Sequence, residues 1–193
     1  MLDLIYGGSA SGKSTYAEKL ADAYYNQLNT KYYVATMQVF DKESEKRVEK
    51  HRFQRKDQHF ETLEIPMNID LLVKRFANQK NQVFLVECMS NLLANELFSN
   101  DWRTDEMDDE TLCMQIKERI IRPLIALSKE HHVVVVSNDV FGDGVTYDDI
   151  GMKQYISAFG YIHQELAKGA KNVVRVVASI PISIKGELPC YDL

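Results

Sequence analysis

Eight residues near the start of the chain, Gly7-Gly8-Ser9-Ala10-Ser11-Gly12-Lys13-Ser14, satisfy the pattern GxxxxGK(S/T) without a mismatch. That pattern holds phosphate. Glycines permit a tight turn whose N–H groups point inward, and a helix opening at Lys13 adds its positive N-terminal end, so several phosphate oxygens find donors together. Lys13 is expected to reach the β- and γ-phosphates as a mobile point charge, and Ser14 offers a hydroxyl ligand to Mg²⁺. A glycine-rich turn without chemistry is the bland alternative. It is disfavoured by the apolar strand before the loop and the amphipathic helix after it.

Such a loop needs a second carboxylate for its metal, usually at the end of a neighbouring apolar strand. Val83-Phe84-Leu85-Val86-Glu87 supplies one. A glutamate ending a buried strand is costly unless it faces a cleft or a cation, so Ser14 and Glu87 form the candidate metal pair. A further cluster lies at Arg47, His51 and Arg55, successive i, i+4 neighbours if the segment is helical. One helix face would then carry an imidazole between two guanidinium groups. The arginines would neutralise phosphates while a neutral ring nitrogen attacks the α-phosphorus and pyrophosphate leaves. The same spacing fits a solvated charged helix with an incidental histidine, and spacing alone leaves both readings open.

Around these candidates, short β-rich runs alternate with longer helical patterns, which predicts βα units and a mostly parallel sheet covered on both faces. Strands are expected over 2–6, 31–36, 82–87, 132–137 and 172–178, with a weaker one at 182–185. Helices are expected over 13–28, 41–55, 67–77, 90–97, 108–129 and 149–167. At 193 residues the chain reads as a single α/β domain of the P-loop type spanning 1–193. The acidic run 101–110 reads as a solvated loop or helix start. His131 and His132 read as an exposed turn, and Tyr24-Tyr25 and Tyr32-Tyr33 as packing residues.

Composition narrows the classes further. A net charge of -5 gives no general basic face for nucleic acid. Cys88, Cys113 and Cys190 are an odd number without CxxC spacing, which supports neither a disulfide framework nor a zinc site and points to a reducing, cytoplasmic setting. Met1 to Ile5 runs directly into a strand and predicts no signal peptide, and no apolar run approaches the roughly 20 residues needed to span a bilayer. A GTPase switch would need an Asn-Lys-x-Asp motif, and Ser137-Asn138-Asp139 lacks the lysine.

Together these residues resemble the bifunctional adenosylcobinamide kinase/adenosylcobinamide-phosphate guanylyltransferases of cobalamin biosynthesis. The likeness covers nearly the whole chain. It runs through the phosphate loop with Ala17-Glu18, Tyr33-Val34-Ala35-Thr36-x-Gln38, and Asp41 with Arg47-Val48-x-x-His51-Arg52-x-x-Arg55. Glu61-Thr62-x-Glu64, Val86-Glu87-Cys88-x-Ser90, Ser137-Asn138-Asp139-Val140 and Ile180-Pro181-x-x-Ile184-Lys185 continue it. The resemblance implies that a nucleoside triphosphate, ATP or GTP, phosphorylates the corrinoid's aminopropanol hydroxyl. GTP then guanylylates a histidine, which passes GMP to the phosphorylated corrinoid. By motif position that histidine is His51. Thr36, Met37, Gln38, Arg52, Phe53, Gln54, Arg55, Glu64 and Glu87 fall where the family contacts guanine nucleotide, and the family implies a homotrimer.

This chain departs from the family pattern mostly in its C-terminal half. His163 stands where asparagine is usual, and the Arg-x-Phe-Arg-Asp pattern is lost around 147–157. A kinase of another small acceptor, or a nucleotide-binding regulator without turnover, are the competing readings; the second has no use for His51.

Overall fold

The computed structural model describes residues 1–26, 29–38, 59–99, 102–141 and 148–188. The charged helix expected over 41–55, with Arg47, His51 and Arg52 to Arg55, lies outside the described residues, and so does Cys190.

Among the described residues seven strands make one sheet: β1 (Leu2–Gly7), β2 (Lys31–Ala35), β3 (Glu61–Glu64), β4 (Val83–Glu87), β5 (His132–Asn138), β6 (Asn172–Val177) and β7 (Ile180–Lys185). Their order is β3-β2-β4-β5-β1-β6-β7. All pairings are parallel except β6 with β7. The central strands are near-continuous apolar runs because both of their faces are covered, as parallel strands between helical layers require. Val83 to Val86 and Val133 to Val136 have no exposed surface.

The helices are α1 (Lys13–Tyr24), α2 (Asp70–Arg75), α3 (Met89–Phe98), α4 (Asp109–Ile116), α5 (Arg122–Glu130) and α6 (Ile150–Gly169). Among the described residues α1 is the helix on one face, setting Tyr16, Ala17, Leu20 and Ala21 against Ile5, Leu85, Val134 and Val174. The other face packs beneath the remaining helices, through residues such as Leu72, Leu92, Leu124 and Phe159. Local signals start two of these helices: the Asp108 carboxylate accepts from Thr111 N at 2.7 Å, and Asp149 from Met152 N at 2.8 Å. Asp108 thereby makes the end of the acidic run a helix start.

Several elements differ from their sequence expectation. The helix expected over 108–129 keeps its path, but Pro123 lacks the N–H that an α-turn would use. The chain therefore passes through a π-helical turn at Lys117–Ile121, with Arg122 N bonded to Lys117 O, before resuming as α5. The helix expected over 67–77 shrinks to α2, since Asn68 takes a left-handed φ of 56° ahead of it. Helix α1 ends at Tyr24, where Tyr25 turns extended. Strand β3 has no apolar run to announce it, because only Leu63 of its four residues is buried. His131 and His132 are not an exposed turn. His131 is buried edge-on against Phe84, and His132 stacks on Tyr24 with ring centroids 4.8 Å apart. Burial lowers the pKa of both imidazoles. No helix among the described residues is long and apolar enough to cross a membrane.

Candidate functional site

The sheet delivers the phosphate loop from the C-terminal end of β1 into the first turn of α1. Gly12 caps that helix with φ 89°, a left-handed value that glycine adopts without penalty. The loop is also packed tightly. A Cβ on Gly7 would stand 2.4 Å from Val176 O, and one on Gly12 would stand 2.6 Å from Ser179 Oγ. At Gly8 nothing lies within 4 Å of that position, so the loop is open there. Ser179 N, in the β6–β7 turn, donates to Ser11 O at 2.7 Å, and Asp139 N donates to Gly7 O at 2.9 Å.

Lys13 begins α1 with only 9% of its surface exposed, and its Nζ donates to Gly8 O at 3.1 Å. Ser11 Oγ is buried without a hydrogen-bond partner. A buried unpaired hydroxyl in a loop of inward-facing amides fits a ligand rich in acceptor oxygens, such as phosphate. The Ser14 hydroxyl donates to Glu87 Oε1. This contact crosses the sheet, because β5 separates β4 from β1. Tyr33 OH donates to Glu87 Oε2 at 3.3 Å, so both carboxylate oxygens are held.

The remaining described candidates line the same sheet edge. Ala35 lies in register with Glu87 on one side and Glu64 on the other. Thr36 follows directly, fully buried, with N donating to Glu87 O at 3.1 Å and Oγ1 donating to Cys88 O at 2.8 Å. Asn95 Nδ2 donates to Thr36 O at 2.8 Å and fixes the turn that carries half-buried Met37 and Gln38. Glu64 is exposed at the end of β3. Ser9 and Ala10 are the exposed tip of the loop, Ala10 at φ 55°. The structure thus brings Gly7 to Ser14 and Glu87 together and sets Thr36 to Gln38 beside them. His51, Arg52, Phe53, Gln54 and Arg55 lie outside the described residues.

Sequence reasoning did not single out Tyr33 and Ser179, which touch Glu87 and the phosphate loop. In the sequence Tyr33 reads as packing, and only the β2–β4 pairing shows that its hydroxyl meets Glu87. Ser179 carries no motif at all.

Behind β1 lies a mostly apolar cavity of about 450 Å³, lined by Tyr6, Phe141, His163 and Val173 among others. His163 Nε2 and Ser137 Oγ are 2.7 Å apart, and burial brings the imidazole pKa down to about 4. The unfolded chain, titrating near 6.5, takes up this proton first. Stability is therefore full above about pH 6.5 and drains as pH falls towards 4. At about 1.4 kcal/mol per unit the loss is about 3 kcal/mol, and less after solvent screening. His163→Asn is expected to remove this component. Urea midpoints at pH 7 and pH 4.5 should differ less in the variant than in the native chain, and an unchanged difference would refute it.

A mostly parallel sheet with a GxxxxGKS loop between β1 and α1, and a carboxylate on the loop serine, defines a P-loop α/β protein. Comparison with known proteins takes the assignment further. Residues 3–184 match the family described as cobinamide kinase / cobinamide phosphate guanyltransferase. The chain is 34% identical over 189 residues to the bifunctional adenosylcobalamin biosynthesis protein CobU of Escherichia coli strain K12, covering 96% of this chain and 100% of that one. It is 32% identical over 187 residues to the bifunctional adenosylcobalamin biosynthesis protein CobP of Pseudomonas aeruginosa, covering 97% and 99%. Among solved structures it is similar to the flagellar accessory protein FlaH from Methanocaldococcus jannaschii, with a TM-score of 0.47 and 12% identity, covering 97% of this chain and 79% of that chain. The chain belongs to the cobinamide kinase / cobinamide phosphate guanyltransferase family.

Proposed function

We propose that this chain carries out both reactions of its family on one phosphate loop. The first is phosphorylation of the aminopropanol hydroxyl of adenosylcobinamide by ATP or GTP. The second transfers GMP from GTP, through a guanylyl-histidine at His51, to give adenosylcobinamide-GDP. The observation that carries the reading is the Ser14–Glu87 contact, which ties the phosphate loop to a carboxylate two strands away.

In this reading the loop amides of Gly8 to Ser14 hold the β-phosphate, and Lys13 Nζ leaves Gly8 O for the γ-phosphate. The lysine exchanges a neutral carbonyl for charged oxygens, which adds ion-pair attraction to a hydrogen bond its own charge already strengthens. Thr36, Met37 and Gln38, with Glu64 and Arg52 to Arg55, are assigned to the guanine nucleotide. A neutral His51 imidazole is a suitable carrier because it attacks near pH 7 and its P–N bond stays labile.

Ser14 and Glu87 are the residues that would hold Mg²⁺, and the hydroxyl-carboxylate pair suits a hard, oxygen-seeking cation. When bound, the cation supplies charge neutralisation of the phosphates. Among the described residues no group of three or more His, Cys, Asp or Glu side chains could hold a metal by itself. A cation at this pair would therefore lean on the nucleotide for further ligands.

Glu87→Gln keeps the shape and the acceptor for Ser14 but removes the charge. Phosphoryl transfer is expected to fall about 100-fold while the melting temperature stays level or rises. Retention of native turnover in that variant would remove Glu87 from the site. The defining test of the function is mass analysis of adenosylcobinamide incubated with chain, ATP, GTP and Mg²⁺. Products heavier by one phosphate and then by a GMP unit are expected. An unmodified corrinoid alongside phosphorylation of another alcohol would favour the kinase of a different acceptor.

The same reading includes a homotrimer and a cytoplasmic setting, where nucleoside triphosphates are supplied. Exposed Val177, Ile180, Ile182 and Ile184 on β6 and β7 offer an apolar surface that supports a subunit contact.

A further inference from the structure

One strand, β5, lies between the strand of the phosphate loop and the strand of Glu87, and its last residue is Asn138. Asn138 stands in register with Gly7, whereas Glu87 stands in register with Val136. Asn138 is thus two residues, about 7 Å, beyond the level of that carboxylate and beside the mouth of the loop. Both its backbone and its side chain are tied down. The next amide, Asp139 N, donates to Gly7 O at 2.9 Å. Asn138 Nδ2 donates to Ser90 Oγ at 2.8 Å. Ser90 is held in turn by Cys88 Sγ, 3.0 Å from Oγ, and by Tyr155 OH, which donates to Ser90 O at 3.3 Å.

Four elements therefore converge to aim one half-buried amide. A carboxamide carries two N–H donors and an acceptor oxygen. Ser90 takes one donor, which leaves the second N–H and Oδ1 for something beyond the sheet edge. With a β-phosphate in the loop, the next phosphate of the chain must leave the loop towards the gap that Asn138 overlooks. A neutral donor there reads the position of that phosphate without adding a second cation to Lys13.

We propose that Asn138 contacts the terminal phosphate of the bound nucleoside triphosphate during phosphoryl transfer, and that Ser90 is its positioning residue. The proposal rests on the nucleotide reading of the loop given above. In the step, the acceptor hydroxyl oxygen bonds to the γ-phosphorus and the bond from that phosphorus to the β,γ-bridging oxygen breaks. The nucleoside diphosphate leaves with the electron pair, and the hydroxyl proton passes to solvent. Asn138 donates to a non-bridging oxygen and keeps the phosphorus in line.

The test compares binding of an imido-bridged triphosphate with binding of the diphosphate, each with Mg²⁺, and measures corrinoid phosphorylation. In Asn138→Ala, diphosphate affinity should stay within about twofold, triphosphate affinity should fall about fivefold to tenfold, and kcat should fall about 100-fold. Asn138→Asp should be worse, because a carboxylate repels the phosphate. Ser90→Ala should lose about tenfold in kcat, restored by Ser90→Thr, which keeps the hydroxyl. Native triphosphate preference and native kcat in Asn138→Ala would overturn the proposal. Equal loss of diphosphate and triphosphate affinity would also overturn it, since that marks a purely structural role. A native chain that binds neither nucleotide would bring down the reading of the loop itself, an outcome distinct from either of these.

Discussion

Lys13→Ala is expected to lower triphosphate turnover by at least about 1,000-fold, roughly 4 kcal/mol of transition-state stabilisation, without unfolding the chain. The size follows from where the amine sits. Lys13 opens α1 almost wholly buried, with Nζ on Gly8 O. A cation held in so dry a place interacts strongly with phosphate charge, because little water screens it. For the same reason its removal costs the fold little: the charge is carried there at a desolvation cost offset by a single carbonyl. Steady-state kcat/KM and a thermal melt, taken on the same preparation, separate the two effects. A melt lowered by several degrees together with the activity loss would transfer the explanation to folding. Activity within tenfold of native would remove Lys13 from the reaction. Lys13→Arg should not rescue, since a planar guanidinium does not fit a space shaped for a compact ammonium.

The second large effect is the loss of covalent labelling in His51→Ala. Native chain incubated with α-labelled GTP and Mg²⁺ is expected to take up label that is acid-labile and base-stable, as a phosphoramidate bond should be. In His51→Ala that label should fall below detection, while phosphorylation of adenosylcobinamide persists within about threefold, because the kinase step uses the loop and not the imidazole. The prediction stands on the i, i+4 spacing of Arg47, His51 and Arg55 and on family membership across residues 3–184. Native chain that binds GTP and never takes label would end the covalent route for this protein. Label that survives in the variant would send the search to another nucleophile.

The two predictions differ in how far the fold supports them, and the difference shows what sequence can encode. The phosphate loop is legible because its chemistry needs eight contiguous residues, and the strand before it and helix after it are short-range consequences of the same string. Glu87 is legible for an energetic reason, as a charge at the end of an apolar run demands an explanation. The five strands expected at 2–6, 31–36, 82–87, 132–137 and 172–178 all form, within a residue at each end. What escaped depends on contacts between distant segments. Tyr33 looks like any core tyrosine until β2 is laid beside β4 and its hydroxyl meets Glu87. Strand β3 is a polar edge strand defined by its partner and not by its own residues. The turn at Ala178 and Ser179, with φ of 49° and 65°, has none of the glycine or asparagine that usually announces such geometry. β7 therefore starts two residues earlier than the sequence suggests.

That same turn has a thermodynamic consequence. Ser179 N grips Ser11 O while Asp139 N grips Gly7 O, so the loop is held at its first residue and at its middle by segments more than 100 residues away. A free glycine-rich loop would surrender backbone entropy when a ligand ordered it, at about 1–2 kcal/mol per residue. Here folding has already fixed the loop, and that ordering cost is not charged again to binding. The cradle is preorganised, and on the proposed nucleotide reading its affinity for phosphate would be in part a property of an edge hairpin that is not itself part of the loop.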